Sequence, residues 1–271
     1  MEESNHLDGE VPEGQIGVRD GDGLVRNPSH VIFPIVSFIN GVSSLVGTGF
    51  FIGPNGLFAS AKHVLMDVVD QKTGVPKGEL FIVQFLDNDV AIQRPVHRFS
   101  TREKADVGVG VCWQMKNNST GLELKNSQLR LTLETPTLNT KVSTYAYPKT
   151  KKFKMPDGQQ ALDFIPAFFD GTIEEHHPDG RDKSILPAEC FRTNMHIHSG
   201  ASGGPAFNIE NNTGKVFGIN STGFEKDNIS YVSSIKDILK LDVTGVKLSS
   251  DGPEITLKIT DLINEKQIRV S

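Results

Sequence analysis

From residue 31 to about residue 240, apolar residues come in short runs, many alternating with polar ones, and each run is closed by Gly, Pro, Asn or Asp. Bounded runs with a period of two read as β-strands rather than helices. The pattern predicts strands over Val31–Asn40, Ser44–Ile52, Leu57–Ser60, Leu80–Leu86, Val90–Phe99 and Asp106–Cys112, with a tight turn at Asn55-Gly56. A polar linker over Lys116–Asn126 precedes a second series: Gln128–Leu133, Thr140–Tyr147, Ala161–Ile173, Ala188–Thr193, Pro205–Ile209, Lys215–Ser221 and Ile229–Ser233. Ser234–Leu241 is helix-like, and Val246–Ser249 with Glu254–Ile259 reads as a terminal hairpin around Asp251-Gly252-Pro253. Two long polar stretches, Lys149–Gln160 and Glu174–Leu186, read as loops of a size that often carries function. The chain is thus all-β, either one unit or two small barrels sharing a cleft.

Composition agrees, since 26 Gly and 14 Pro beside 7% aromatics in 271 residues suit many turns between short strands. Residues 1–30 hold seven acids against Arg19 and Arg26, a net charge of −5 that accounts for the whole formal charge of the chain. This acidic tail is expected to be disordered. The rest balances at 26 basic and 26 acidic residues, so no electropositive face is implied and no nucleic-acid partner is expected. The longest apolar run, Val31–Ile39, is broken by Pro34 and Ser37, so no membrane span is expected. The first residues lack the basic start and apolar stretch of a signal peptide, which makes the cytoplasm the expected location. Cys112 and Cys190 are expected to be reduced and buried.

The stretch Ser199-Gly200-Ala201-Ser202-Gly203-Gly204-Pro205 places a serine among three glycines. Glycine costs backbone entropy, so this clustering implies unusual dihedrals or a close approach by something else. Ser202 therefore reads as a nucleophile. The nucleophile elbow of α/β-hydrolases also fits the local pattern, but its histidine follows the serine in the chain, and none of the eight histidines lies beyond Ser202. The base must come from upstream, in the order histidine, aspartate, serine or the order aspartate, histidine, serine. His63 stands where a strand ends and a short helical turn begins, flanked by small residues, and Asp106 opens an apolar strand where a partly buried carboxylate needs a donor. A rival reading makes His196 and His198 zinc ligands with His176, His177 or Cys190, although no recognised spacing supports it and no metal or cofactor is expected.

His63, Asp106 and Ser202, in that order, resemble the trypsin/chymotrypsin superfamily of serine proteases, and within it the HtrA/Deg-like branch. The likeness rests on Gly47-Thr48-Gly49-Phe50, Ala59-Ser60-Ala61-Lys62-His63-Val64, Ala105-Asp106-Val107-Gly108-Val109, Gly200-Ala201-Ser202-Gly203-Gly204-Pro205 and Val216-Phe217-Gly218-Ile219-Asn220. It implies two six-stranded antiparallel β-barrels, over residues 31–120 and 121–245, with the active site between them and a short C-terminal helix. Residues 246–271 form an extension too short for a PDZ domain. The resemblance further implies a serine endopeptidase acting on protein or peptide substrates, with an oxyanion hole at the backbone N–H groups of Gly200 and Ser202. The substrate is expected to lie along Gly218, Ile219, Asn220 and Ser221, with His196 at the base of the primary pocket. A catalytically silent two-barrel binding module is the alternative, since fold does not fix function.

Overall fold

A computed structural model describes residues 17–86, 90–158, 160–209, 214–224, 229–247 and 252–271. The chain begins with a small hairpin, β1 (Val18–Arg19) and β2 (Val25–Arg26), and a helical turn α1 (Pro28–Val31). Next come β3 (Ile32–Ile39), β4 (Val42–Phe51), β5 (Leu57–Ser60), α2 (Lys62–Leu65), β6 (Glu79–Phe85), β7 (Ala91–Thr101) and β8 (Gly108–Cys112). The six strands from β3 to β8 close into an antiparallel barrel in the order β3-β4-β5-β8-β7-β6. The valine–glycine alternation of β8 has a packing reason. Gly110 lies directly against the Phe58 ring, where a Cβ could not fit, and Phe33, Phe50, Phe51 and Phe58 fill the interior with no exposed surface. Burying each such ring contributes about 1.5–3 kcal/mol.

After the short pair β9 (Met115–Lys116) and β10 (Glu123–Leu124) come β11 (Lys141–Ala146), β12 (Lys151–Lys154), β13 (Gln160–Asp163), β14 (Ala167–His177), β15 (Cys190–Thr193), β16 (Pro205–Asn208), β17 (Lys215–Phe224) and β18 (Ile229–Ser234). Six of these make a second closed antiparallel barrel, β11-β14-β15-β18-β17-β16. A 3-10 turn (Ile235–Lys240), the hairpin β19 (Asp242–Val246) and β20 (Ile255–Lys258), and the helix α3 (Ile259–Asn264) finish the chain. The architecture is the chymotrypsin-like fold. The barrels are stitched together by polar contacts at their seam: Tyr147 Oη donates to the Ile32 carbonyl at 3.1 Å, Tyr145 Oη and Ser29 Oγ lie 2.6 Å apart, and the Thr48 N–H donates to the Ser202 carbonyl at 2.8 Å.

Several expected elements differ. Gln128–Leu133 makes only isolated bridges, to Asp20, Val216 and Val270, because both barrels close without it; its apolar Leu129 and Leu131 still join the core. Pro166 splits the expected strand Ala161–Ile173 into β13 and β14, since proline has no N–H to give a ladder. The stretch Lys149–Gln160 contains β12, and the terminal hairpin begins at Asp242, upstream of the expected Val246. Residues 248–251 of that hairpin lie outside the described residues. Of the acidic tail, residues 1–16 also lie outside them, while 17–30 are packed rather than disordered. There Asp20 accepts the N–H groups of Asp22 and Leu24, each at 2.9 Å, and pairs with Arg26 at 2.9 Å, with both side chains less than a tenth exposed.

Candidate active site

β5 ends at Ser60, and the chain turns at once into α2, whose second residue is His63. Ala61, Val64 and Leu65 are buried around it, so the backbone is anchored while the imidazole stays about half exposed, at 49%. Asp106 is held in the same way between buried Ala105 and Val107, just before β8. Its carboxylate grips the histidine at three points. Oδ1 accepts the His63 backbone N–H at 3.1 Å, and Nδ1 of the ring lies 3.0 Å from Oδ1 and 2.9 Å from Oδ2. An Nδ1–H donating to a carboxylate leaves Nε2 as the ring's acceptor. The Ser221 hydroxyl donates to Asp106 Oδ2 as a further partner. Burial alone would push the Asp106 carboxyl up, but the hydrogen bond and charge of His63, with the Ser221 hydroxyl, hold it below the ordinary carboxylate value.

Ser202 sits in the turn between β15 and β16. Gly200 and Gly203 take φ values of +94° and +85°, which side chains rarely adopt, and a Cβ on Gly203 would run into Ser60 Oγ and the Thr48 carbonyl. Thr48 pins the turn by its side chain as well, since its Oγ1 donates to the Gly200 carbonyl at 2.8 Å. Ser202 Oγ donates to the Ser221 carbonyl at 3.1 Å and makes no hydrogen bond to His63. Among the described residues, the backbone N–H groups of Gly200 and Ser202 have no acceptor.

His63, Asp106, Ser202 and Ser221 line one cleft of about 830 Å³. Its floor includes Ile197, and one wall is the loop segment carrying Ser184, Ile185 and Pro187. Two sequence expectations need correction. His196 is exposed and lies off the cleft, because residues after β15 alternate: Met195 and Ile197 turn into the core and His196 turns out. Gly218, Ile219 and Asn220 are buried in the second barrel, where Asn220 Nδ2 donates to Thr144 Oγ1 at 2.7 Å and the Ala201 carbonyl at 3.3 Å. The part of β17 that faces the cleft is Ser221 with Thr222 and Gly223.

Sequence reasoning missed Thr48 as a brace, although a threonine between two glycines hinted at a crowded backbone. It also missed the hydroxyl of Ser221 on Asp106 and the Ser184–Pro187 wall. Two of the residues of the rival metal reading are paired with carboxylates. His176 pairs with Glu189 at 3.0 Å and His177 with Glu175 at 3.1 Å, while the His196 and His198 rings lie 4.7 Å apart. No group of three or more metal-ligating side chains gathers among the described residues. Both cysteines are free and buried, and burial pushes the Cys190 thiol up to about 11.

Comparison with known proteins bears on the fold and the family. No curated protein matches the chain. Among solved structures, a crystal structure of Deg5 is similar at a TM-score of 0.56 and 16% identity, covering 78% of this chain and 87% of that one, a likeness that speaks for the fold alone. An inactive form of Rv3671c from M. tuberculosis H37Rv is matched at a TM-score of 0.48 and 16% identity, over 78% of this chain and 83% of that one, too weakly to carry an argument. A family model described as a trypsin-like peptidase domain matches residues 47–219, well over half of the chain, a span within which His63, Asp106 and Ser202 fall, so the protein belongs to that family and is a trypsin-like serine protease.

Proposed function

We propose that the protein is an endopeptidase working through His63, Asp106 and Ser202 and an acyl-enzyme intermediate. The observation that carries the reading is the three-point hold of Asp106 on His63 beside Ser202 in one cleft. Rotation about χ1 takes Ser202 Oγ from the Ser221 carbonyl toward His63 Nε2, a change between staggered wells. Such contacts commonly tighten only once substrate is bound. Oγ then attacks the scissile carbonyl carbon while its proton passes to Nε2. Asp106 stays ionised, fixes the ring and stabilises the imidazolium. The unpaired N–H groups of Gly200 and Ser202 are suited to receive the carbonyl oxygen as it becomes an oxyanion, a contribution of about 3 kcal/mol per donor. Collapse breaks the C–N bond, Nε2 protonates the leaving amine, and a water activated in the same way hydrolyses the ester.

The substrate is a protein or peptide whose acyl side runs extended along Ser221–Gly223, with main-chain hydrogen bonds giving affinity. Ile197 and Ile185 in the cleft favour small or medium apolar side chains there. We read the enzyme as cytoplasmic and its work as limited, regulated cleavage of a partner protein, since unrestrained proteolysis in that compartment is destructive. Ser202→Ala and His63→Ala are each expected to abolish hydrolysis of a peptide library while leaving the circular dichroism spectrum unchanged. Hydrolysis surviving at the wild-type rate in either folded variant refutes the mechanism.

A further inference from the structure

The strands β12 and β13 pair only with each other and stand off the second barrel as a separate hairpin. All four residues of β12 are exposed, and Phe153 and Met155 expose 47% and 44% of their surface. Residues 149–163 carry Lys149, Lys151, Lys152 and Lys154 against Asp157 and Asp163, a net charge of +2 in a chain whose formal charge is −5. None of the four lysines forms an ion pair with a described residue, and only Lys152 has a side-chain partner, donating to Ser44 Oγ of β4 at 2.8 Å. Solvated lysines without carboxylates leave a local positive potential that a neutral face lacks.

The root of this hairpin is the nucleophile turn itself. A Cβ on Gly200 would come within 2.9 Å of the Tyr147 carbonyl, 3.0 Å of the Leu45 side chain and 3.3 Å of Pro148 Cα, so the chain leading into Lys149 touches the turn that holds Ser202. The cleft extends from Ser202 the other way, toward Ser221–Gly223 and the Ser184–Pro187 wall, and no described residue of 147–163 lines it. A peptide with its acyl side in the cleft therefore leaves over Gly200 and meets the hairpin on its leaving-group side.

We propose that this lysine-rich hairpin docks an acidic stretch of the protein substrate, C-terminal to the scissile bond; the placement rests on the peptidase reading above. Charge complementarity is the first argument. The second is that unpaired strand edges can bind an extended peptide through its main chain, which a nucleic acid or a lipid headgroup cannot offer, while Phe153 and Met155 take apolar residues among the acids. Four lysines on one hairpin match a short acidic segment, not the long electropositive surface a polyanion needs.

The test separates docking from turnover. The Ser202→Ala protein is titrated with a fluorescein-labelled peptide bearing four Glu or Asp residues after the cleavage point, and with its Gln/Asn isostere. The acidic peptide is expected to bind about tenfold tighter at low salt, with the preference falling below about twofold at high salt as the charges are screened. A Lys149/Lys151/Lys154→Gln triple variant is expected to lose the preference and keep its affinity for the neutral peptide. In the active enzyme the same preference appears in KM, with kcat unchanged. Because the binding arm needs no catalysis, a chain that docks the acidic peptide but cleaves nothing sinks the peptidase reading alone. Equal binding of both peptides by the parent, or a preference that persists in the triple variant, overturns the proposal. So does tighter capture of an oligonucleotide or an anionic vesicle of equal charge, or a preference that emerges only after residues 2–16 are removed, which would assign the lysines to the chain's own acids.

Discussion

Replacing Thr48 by valine keeps the shape of a fully buried side chain and removes one oxygen, which makes it a sharp probe of how the turn carrying Ser202 is held. That oxygen donates to the Gly200 carbonyl at 2.8 Å and accepts the Tyr147 N–H at 3.3 Å, so Thr48→Val leaves a carbonyl and an amide N–H without a partner at the seam of the barrels. Each orphaned buried group costs about 1–3 kcal/mol, and the longer of the two bonds belongs at the low end, which gives roughly 2–4 kcal/mol for the pair. At about 2–4 °C per kcal/mol for chains of this size class, the melting temperature is expected to fall by roughly 5–15 °C. The backbone Thr48 N–H to Ser202 carbonyl bond survives the substitution, so the turn loosens on its Gly200 side only. Since Gly200 carries one proposed oxyanion donor, kcat is expected to drop about tenfold with KM little changed. Calorimetry and steady-state kinetics on a peptide substrate check both numbers, with Thr48→Ser as the control that restores the hydroxyl. A Thr48→Val protein that melts within about 1 °C of wild type, or loses stability with no effect on kcat, refutes the claim that this hydroxyl braces the site.

Other outcomes follow from the same geometry. The Asp106 carboxyl is held below its ordinary value of 3.8 once His63 and Ser221 offset its burial, so the folded state releases this proton more readily than the unfolded chain does. Its contribution to stability is therefore full at neutral pH and is lost as pH falls below about 4. Asp106→Asn is expected to flatten thermal stability over pH 5 to 3 relative to wild type and to lower kcat by roughly 10⁴ at neutral pH. An inserted N-terminus cannot switch the enzyme on, because the residue before Ser202 is Ala201, fully buried in an apolar cluster with Val142, Met195 and Phe217. An ammonium there would lose its hydration with no carboxylate to meet it. A protein with its N-terminus blocked by a fused tag is expected to keep peptide hydrolysis within about threefold, and full activity that appears only after a defined N-terminal cut contradicts this.

Much of this molecule could be read from its sequence where local chemistry and final geometry coincide. The apolar alternation marked nearly every barrel strand, and the glycines around Ser202 implied unusual dihedrals or a close approach, of which Gly200 and Gly203 show the first in their positive φ values and Gly203 also the second. What escaped were outcomes set by distant partners. Ser221 reaches Asp106 across 115 positions of chain, and the sequence around Ser221 does not announce which carboxylate its hydroxyl will meet. His196 read as a pocket residue until the alternation of Met195 and Ile197 turned it outward. The stretch around Asp182 shows the divide within one loop. Asp182 Oδ1 accepts the N–H groups of Ile185 at 2.7 Å and Ser184 at 2.9 Å, which hold the carboxyl down to about 2. That turn is a local motif, since aspartate readily bonds its own downstream backbone. That it delivers Ile185 and Pro187 to the cleft depends on buried Leu186 packing against Cys190 and Tyr231, which no local pattern reveals.

The central claim is that Ser202 is a nucleophile activated by His63, and active-site labelling with a fluorophosphonate tests it most directly. The phosphonyl group forms a stable bond only with a serine whose proton is taken up by a neighbouring base. Peptide mass mapping is expected to find one modification, on Ser202, absent from Ser202→Ala and formed at least about 10³ more slowly in His63→Ala. A folded wild-type protein that takes no label, or a Ser202→Ala protein labelled as fast as wild type, contradicts the account.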